Sequence, residues 1–201
     1  MKLILVRHGE TDWNKSQRVQ GRSDIELNSN GIQEAKLLGL SLKDEKIDAF
    51  YASPLKRAIT TAAIVASYHH GTVITDERLC ELDQGKFEGM KYSELREHYR
   101  DFLMDWGKKP SEMTMPNGES LIQLQERAWD FVTEMQSKHN DKCILVVGHN
   151  FTNIVIICKA LDTELSQFRS VRQDRTAKTI ILFENSGATI TCLNDISHLE
   201  I

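Results

Sequence analysis

Arg7-His8-Gly9-Glu10-Thr11 directly follows the short apolar run Leu3-Ile4-Leu5-Val6. A lone histidine is usually unremarkable chemically. A histidine between an arginine and a glycine, at the exit of a buried strand, is a candidate nucleophile in an anion-binding loop. Phosphoryl transfer to an imidazole also needs a further cation, a further histidine and a carboxylic acid, and the chain supplies all of these residue types.

Such groups work only if the fold brings them to one place. Apolar runs of strand length occur at Lys2–Val6, Ala49–Ala52, Val73–Thr75, Cys143–Val147, Thr179–Glu184 and Thr189–Leu193. The last two flank Asn185-Ser186-Gly187, a hairpin-like turn signal. Helical patterns separate the earlier ones, which predicts an α/β three-layer sandwich with a mostly parallel central sheet and an antiparallel edge strand. Ile32, Ala35, Leu38 and Leu42 keep a helical period after the cap candidates Asn28 and Ser29. Ser53 before Pro54 reads as an N-cap with proline at the first helical position, continued by Ala58, Ala62, Val65 and Ala66. Leu95, Tyr99, Phe102 and Trp106 mark another helix. Ser120 and Gln123 form a capping-box pattern, and an almost wholly apolar helix follows Asn150. The stretch Lys108 to Gly118 reads as a long loop over one end of the sheet, of the kind that carries part of a binding site.

In open α/β sheets, ligands gather at the carboxyl ends of the strands. His8 follows the first strand, Ser53-Pro54-Leu55-Lys56-Arg57 the second, and Gly148-His149 the run Ile144 to Val147. Three segments therefore bring potential cations to one rim, where the N–H groups of a helix start add further donors for an anion.

Composition narrows the alternatives. The 201 residues are expected to form one domain spanning 1–201, with 40% hydrophobic and 27% charged residues, which are globular values. A net charge of −4 gives no support for nucleic-acid or membrane-surface partners, so an anion site must be a local cluster of positive charge. No apolar run reaches membrane-spanning length, and the start of the chain is too weakly apolar for a signal peptide. The four cysteines are far apart, without CxxC spacing, and are expected to be reduced thiols. A soluble, cytoplasmic protein is expected. Neither HxH nor HExxH spacing occurs, and a cluster of aspartates suited to a dinuclear metallophosphatase is missing, so no metal or cofactor is expected.

The pattern resembles the histidine phosphatases, or phosphoglycerate mutase-like superfamily. The resemblance rests on Arg7-His8-Gly9-Glu10-Thr11 with Asn14, Gln20-Gly21 before Asp24, and Ser53-Pro54-Leu55-Lys56-Arg57-Ala58. It continues through Glu81-Leu82 to Gly85, Phe87-Glu88-Gly89, Gly118-Glu119-Ser120 and Gly148-His149. It implies a phosphoglycerate mutase-like fold and phosphoryl transfer to His8, with the other ring nitrogen donating to a backbone carbonyl. Arg7, Arg57 and His149 would hold the phosphoryl oxygens, and Glu81 would donate and then accept a proton. Asn14, Gln20 and Gly21 would add phosphate and substrate contacts, Gly21 through its backbone. Trp13, Gln84, Phe87, Met90, Tyr92, Trp106 and Met115 are candidates for the pocket wall, with core packing as the competing role. Asn150 stands where the family commonly has a glycine, and it adds either an amide contact or a narrower site.

The superfamily includes mutases and phosphatases. The compact segment after Glu81 carries one lysine and no arginine, which favours hydrolysis over mutase-type transfer. A third alternative, a catalytically inactive phospho-ligand binding module, would usually have lost His8, Arg57 or Glu81. The expected partner is a small phosphorylated metabolite. The compact form and the tail look similar to phosphatases acting on α-ribazole phosphate or phosphoserine, and to broad-specificity relatives. A homodimer is the commonest assembly for such a chain.

Overall fold

Four consecutive apolar residues, Leu3 to Val6, are essentially inaccessible to solvent, so the first strand, β1 (Lys2–Arg7), must be covered on both faces. Side chains alternate across a strand. Leu3 and Leu5, with Ile144 and Val146, enter one core; Ile4 and Val6, with Leu145 and Val147, enter another. The computed structural model describes residues 1–185 and 187–200. Its central sheet has six strands: β1, β2 (Ala49–Ala52), β3 (Val73–Thr75), β4 (Cys143–Gly148), β5 (Lys178–Glu184) and β6 (Gly187–Asp195). Their spatial order is β3-β2-β4-β1-β5-β6. The first four are mutually parallel, with Arg7 beside Gly148 in register.

One face carries α2 (Ser29–Leu42) and α3 (Lys56–Ser67), which contribute Leu38, Leu42, Ala58, Ala62 and Val65 to the core. The other carries α6 (Leu121–Lys138) and α7 (Asn150–Ala160), which contribute Leu121, Leu124, Phe131, Val155 and Ile157. The short α1 (Asp12–Lys15) follows the His8 loop, and α4 (Tyr92–His98) and α5 (Arg100–Lys108) stand over the carboxyl end of the sheet. Among the described residues, no helix is long and apolar enough to cross a membrane.

Three local expectations need revision. Ser53 does not cap α3: the helix begins two residues beyond Pro54, at Lys56. The Ser53 hydroxyl instead accepts from the Leu55 N–H inside the turn, and the Lys56 N–H is taken by Asp24 from a distant loop. Ile32 is 37% exposed, and the inner face of α2 is carried by Gly31, Ala35, Leu38 and Leu42. The run Leu95 to Trp106 forms two helices, because Tyr99 leaves helical geometry (φ −128°, ψ 29°). The expected antiparallel edge is present: β5 is antiparallel to β1, and β6 pairs with β5 at the edge of the sheet. Ser186, in the expected turn, lies outside the described residues.

Candidate active site

His8 leaves β1 with its backbone N–H bonded to the Gly148 carbonyl at 3.1 Å, so the two parallel strands fix its position. Its ring Nδ1 lies 2.7 Å from the Gly9 carbonyl oxygen. A carbonyl only accepts, so Nδ1 carries the proton and the Nε2 lone pair is left free. The ring is 3% exposed. Burial, with the Arg57 and Arg7 charges close by, holds the imidazole well below the ordinary histidine value, and it is neutral. Gly9 has no room for a side chain, because a Cβ there would strike the Gly31 backbone at the start of α2.

His149 ends β4 and is the N-cap residue of α7, fully buried. The Arg57 Nε–H donates to its Nδ1 at 3.2 Å, which places the His149 proton on Nε2. That nitrogen is buried with no hydrogen-bond partner among the described residues. The two histidine rings have centroids 5.1 Å apart. Arg57 is also anchored through Nη1 to the Ser23 carbonyl and through Nη2 to the Gly21 carbonyl, both at 2.7 Å. Burial lowers its guanidinium to about 10, and it remains a cation at neutral pH. Arg7 donates through Nη1 to the Gln173 carbonyl at 2.6 Å and to Asn150 Oδ1 at 3.3 Å, while its buried Nε has no partner among the described residues. Orphaned buried donors are rare, and among the described residues Arg7 and His149, the sequence neighbour and the ring neighbour of His8, each carry one.

Glu81 lies at the start of α7, where backbone N–H groups have no helical partner. Its Oε1 accepts from the Leu82, Phe151 and Thr152 N–H groups at 2.9, 3.1 and 3.2 Å, and from the Thr152 hydroxyl at 3.3 Å. Oε2 accepts only from the Phe151 N–H, at 3.2 Å. The carboxylate is near enough to both guanidinium groups to favour their charged forms. Arg127 steadies this segment. It donates to the Cys80 and Glu81 carbonyls at 2.8 and 3.1 Å and is itself gripped by both Glu119 oxygens at 2.7 and 2.8 Å.

The other candidates take varied positions. Asn14 borders the cleft and completes a reciprocal cap with Thr11 at the head of α1. Gln20 is buried and accepts from the Thr11 hydroxyl at 2.9 Å. Gly21 has φ +50° and serves Arg57 through its carbonyl. The Asn150 Oδ1 accepts from Arg7 Nη1 at 3.3 Å.

Sequence reasoning missed Glu88 as a support. Its carboxylate accepts from the Arg22 N–H, the Ser23 N–H and the Ser23 hydroxyl at 2.8, 2.9 and 2.6 Å. It thereby ties down the loop whose carbonyls hold Arg57. Arg127 and Glu119 were missed in the same sense. The motifs Phe87-Glu88-Gly89 and Gly118-Glu119-Ser120 were the available signal, without any indication of what the carboxylates bind.

Above these groups opens a cleft of about 480 Å³, lined in part by Arg7 and Asn14 and by the expected Gln84, Phe87, Tyr92, Trp106 and Met115. Trp13 and Met90 do not line it; Trp13 stands over Gly89, and Met90 packs on the core. Phe151, Leu103, Arg18 and Arg175 line it unforeseen. Phe151 had read as one more core residue of an apolar helix. Arg175 pairs with Glu10 at 3.2 Å and Glu34 at 3.4 Å. Among the described residues, no three His, Cys, Asp or Glu side chains form a group suited to a metal ion.

Residues 3–196 match the family model of the histidine phosphatase superfamily (branch 1). Over 199 residues the chain is 35% identical to phosphoserine phosphatase 1 of Hydrogenobacter thermophilus, covering 99% of this chain and 94% of that one. YhfR of Bacillus stearothermophilus superposes with a TM-score of 0.91 and 31% identity, over 98% of each chain. A mutant phosphoserine phosphatase of Entamoeba histolytica, solved in complex with phosphoserine, gives a TM-score of 0.87 and 30% identity, again over 98% of each.

Proposed function

The chain belongs to the histidine phosphatase superfamily and is a phosphoric monoester hydrolase, and we propose that it cleaves small phosphorylated metabolites, without a metal, through a phosphohistidine at His8. The observation that carries this reading is the protonation pattern of the imidazole. Nδ1 is tied to the Gly9 carbonyl, leaving Nε2 unprotonated, and the neighbouring Arg7 and His149 each keep a buried donor, Nε and Nε2, with no partner among the described residues.

In the first step His8 Nε2 attacks phosphorus in line, the ester P–O bond breaks, and the leaving oxygen takes a proton from Glu81. Oε2, which has a single donor, is the oxygen able to carry that proton. In the second step Glu81, now a carboxylate, accepts a proton from water as the water oxygen attacks phosphorus. The P–N bond breaks, and His8 returns to its neutral form with inorganic phosphate released. Arg7, Arg57 and His149 hold the non-bridging oxygens. The transition state of phosphoryl transfer is loose, so fixed donors and position supply most of the rate. Asn150 aims Arg7, Asn14 is placed for a secondary contact with phosphate, and Gln20 and Gly21 brace the loop that serves Arg57. The names of the related phosphoserine phosphatases support a small monoester as substrate.

Hydrolysis of p-nitrophenyl phosphate in EDTA tests this directly. The wild type turns over, and His8→Ala loses on the order of 10³-fold or more in kcat, as expected when a covalent nucleophile is removed. Rapid quench during turnover traps an acid-labile, base-stable phosphoryl group on His8. Turnover with no such label sinks the proposal.

A further inference from the structure

The cleft extends well beyond the space a phosphate needs; Gln17, Arg18, Arg96 and Arg175 form a polar part of its lining, and opposite chemistry is offered by an apolar wall. Phe87, Leu95, Leu103, Trp106, Met115 and Phe151 supply that wall. It comes from four separate stretches of chain: the turn after Glu81, the helix pair α4 and α5, the loop before α6, and the first turn of α7.

The rings in the wall are braced from behind. Phe87 packs edge-on against Tyr99 and Phe102, with centroids 5.0 and 5.3 Å away. Trp106 packs against Phe151 at 5.9 Å and Phe168 at 5.1 Å. Such packing pre-forms the surface, so a ligand does not have to order it. α5 is built to present this face. Phe102, Leu103 and Trp106 point inward, whereas Arg100, Asp101 and Asp105 face solvent. The wall is continuous with the proposed phosphate cradle, because Phe151 both lines the cleft and donates its N–H to Glu81. A body carried by the ester oxygen can therefore reach it.

Resting on the phosphohistidine reading above, we infer that the preferred substrates are phosphate monoesters with an apolar body about the size of an aromatic ring, rather than small zwitterionic or polyhydroxy esters. The body of phosphoserine is an ammonium and a carboxylate on two carbons, with too little apolar surface to cover this wall. An aromatic or branched-alkyl body excludes water from the wall.

The experiment compares primary alkyl esters, so that the leaving alcohols match in acidity: 2-phenylethyl phosphate against O-phosphoserine and glycerol 3-phosphate, with p-nitrophenyl phosphate as the reference for chemistry. The expected result is a kcat/KM at least tenfold higher for 2-phenylethyl phosphate. Leu103→Asn, which places an amide in the wall, shrinks that ratio several-fold, mainly through KM. If all the esters are hydrolysed and the polar ones match or exceed 2-phenylethyl phosphate, the inference about the body is overturned while the catalytic reading stands. If no ester is hydrolysed, p-nitrophenyl phosphate included, the catalytic reading falls and takes this inference with it. The wild-type ratio decides the matter even if Leu103→Asn fails to fold.

Discussion

The groups closest to the chemistry are held by atoms that carry no sequence signature. Arg57 rests on the carbonyls of Gly21 and Ser23, Arg7 on that of Gln173, and His8 on that of Gly9. Every residue has a carbonyl, so residue types could mark His8, Arg57 and His149 as candidates but could not say what fixes them. Glu88 shows the consequence. It touches none of the proposed reacting atoms, yet it secures the loop that orients Arg57. Glu88→Gln sets an amide NH₂ or a weaker acceptor against the Arg22 and Ser23 N–H groups. It is expected to lower kcat on the order of 10- to 100-fold, the usual penalty for a cation displaced by an ångström. KM and the thermal midpoint should change little. Unchanged kcat in Glu88→Gln would show that the loop holds its shape without it.

At the scale of elements, legibility followed whether the stabilising partner was near in sequence. α6 starts where Ser120 and Gln123 put it, because the Ser120 hydroxyl accepts from the Gln123 N–H and the Gln123 side chain returns the bond. Ser120→Ala should therefore cost about 1 kcal/mol in urea-induced unfolding. A cost near zero would mean that the neighbouring packing, not the cap, fixes the helix start. The start of α3 could not be read, since its first N–H is satisfied by Asp24, far back in the chain. The break between α4 and α5 was hidden for a related reason: the apolar spacing runs straight through Tyr99, and only the surface being covered requires the chain to bend there. β1 and β4 were legible because strands covered on both faces are apolar throughout.

Over the whole molecule, the alternation of strands and helices foretold a layered α/β fold, and the carboxyl-end rule foretold which rim would gather His8, Arg57 and His149. The closing ribbon carries a separate consequence. After it, His198 is buried, with its Nε2–H on the Thr176 hydroxyl at 3.1 Å, while the Thr176 N–H holds the Arg7 carbonyl at 3.0 Å. Burial, assisted by Lys178, lowers His198 to about 4, and His8 and His149 are held neutral in the same way. Below pH 6.5 the unfolded chain takes up protons that the folded one refuses, so folding stability declines as pH falls from 6.5 towards 4. Urea midpoints between pH 7 and 4.5 should show this decline. His198→Asn should flatten part of the slope, by up to about 3 kcal/mol; an identical slope would assign the acid sensitivity elsewhere. A last consequence comes from α7. Its opening turn seats Glu81, its cap residue is His149, and Asn150 props Arg7, so one helix start places the proposed proton donor and one of the three proposed phosphate ligands, and braces a second. Any displacement of that helix start would shift Glu81 and His149 together relative to the imidazole that follows β1.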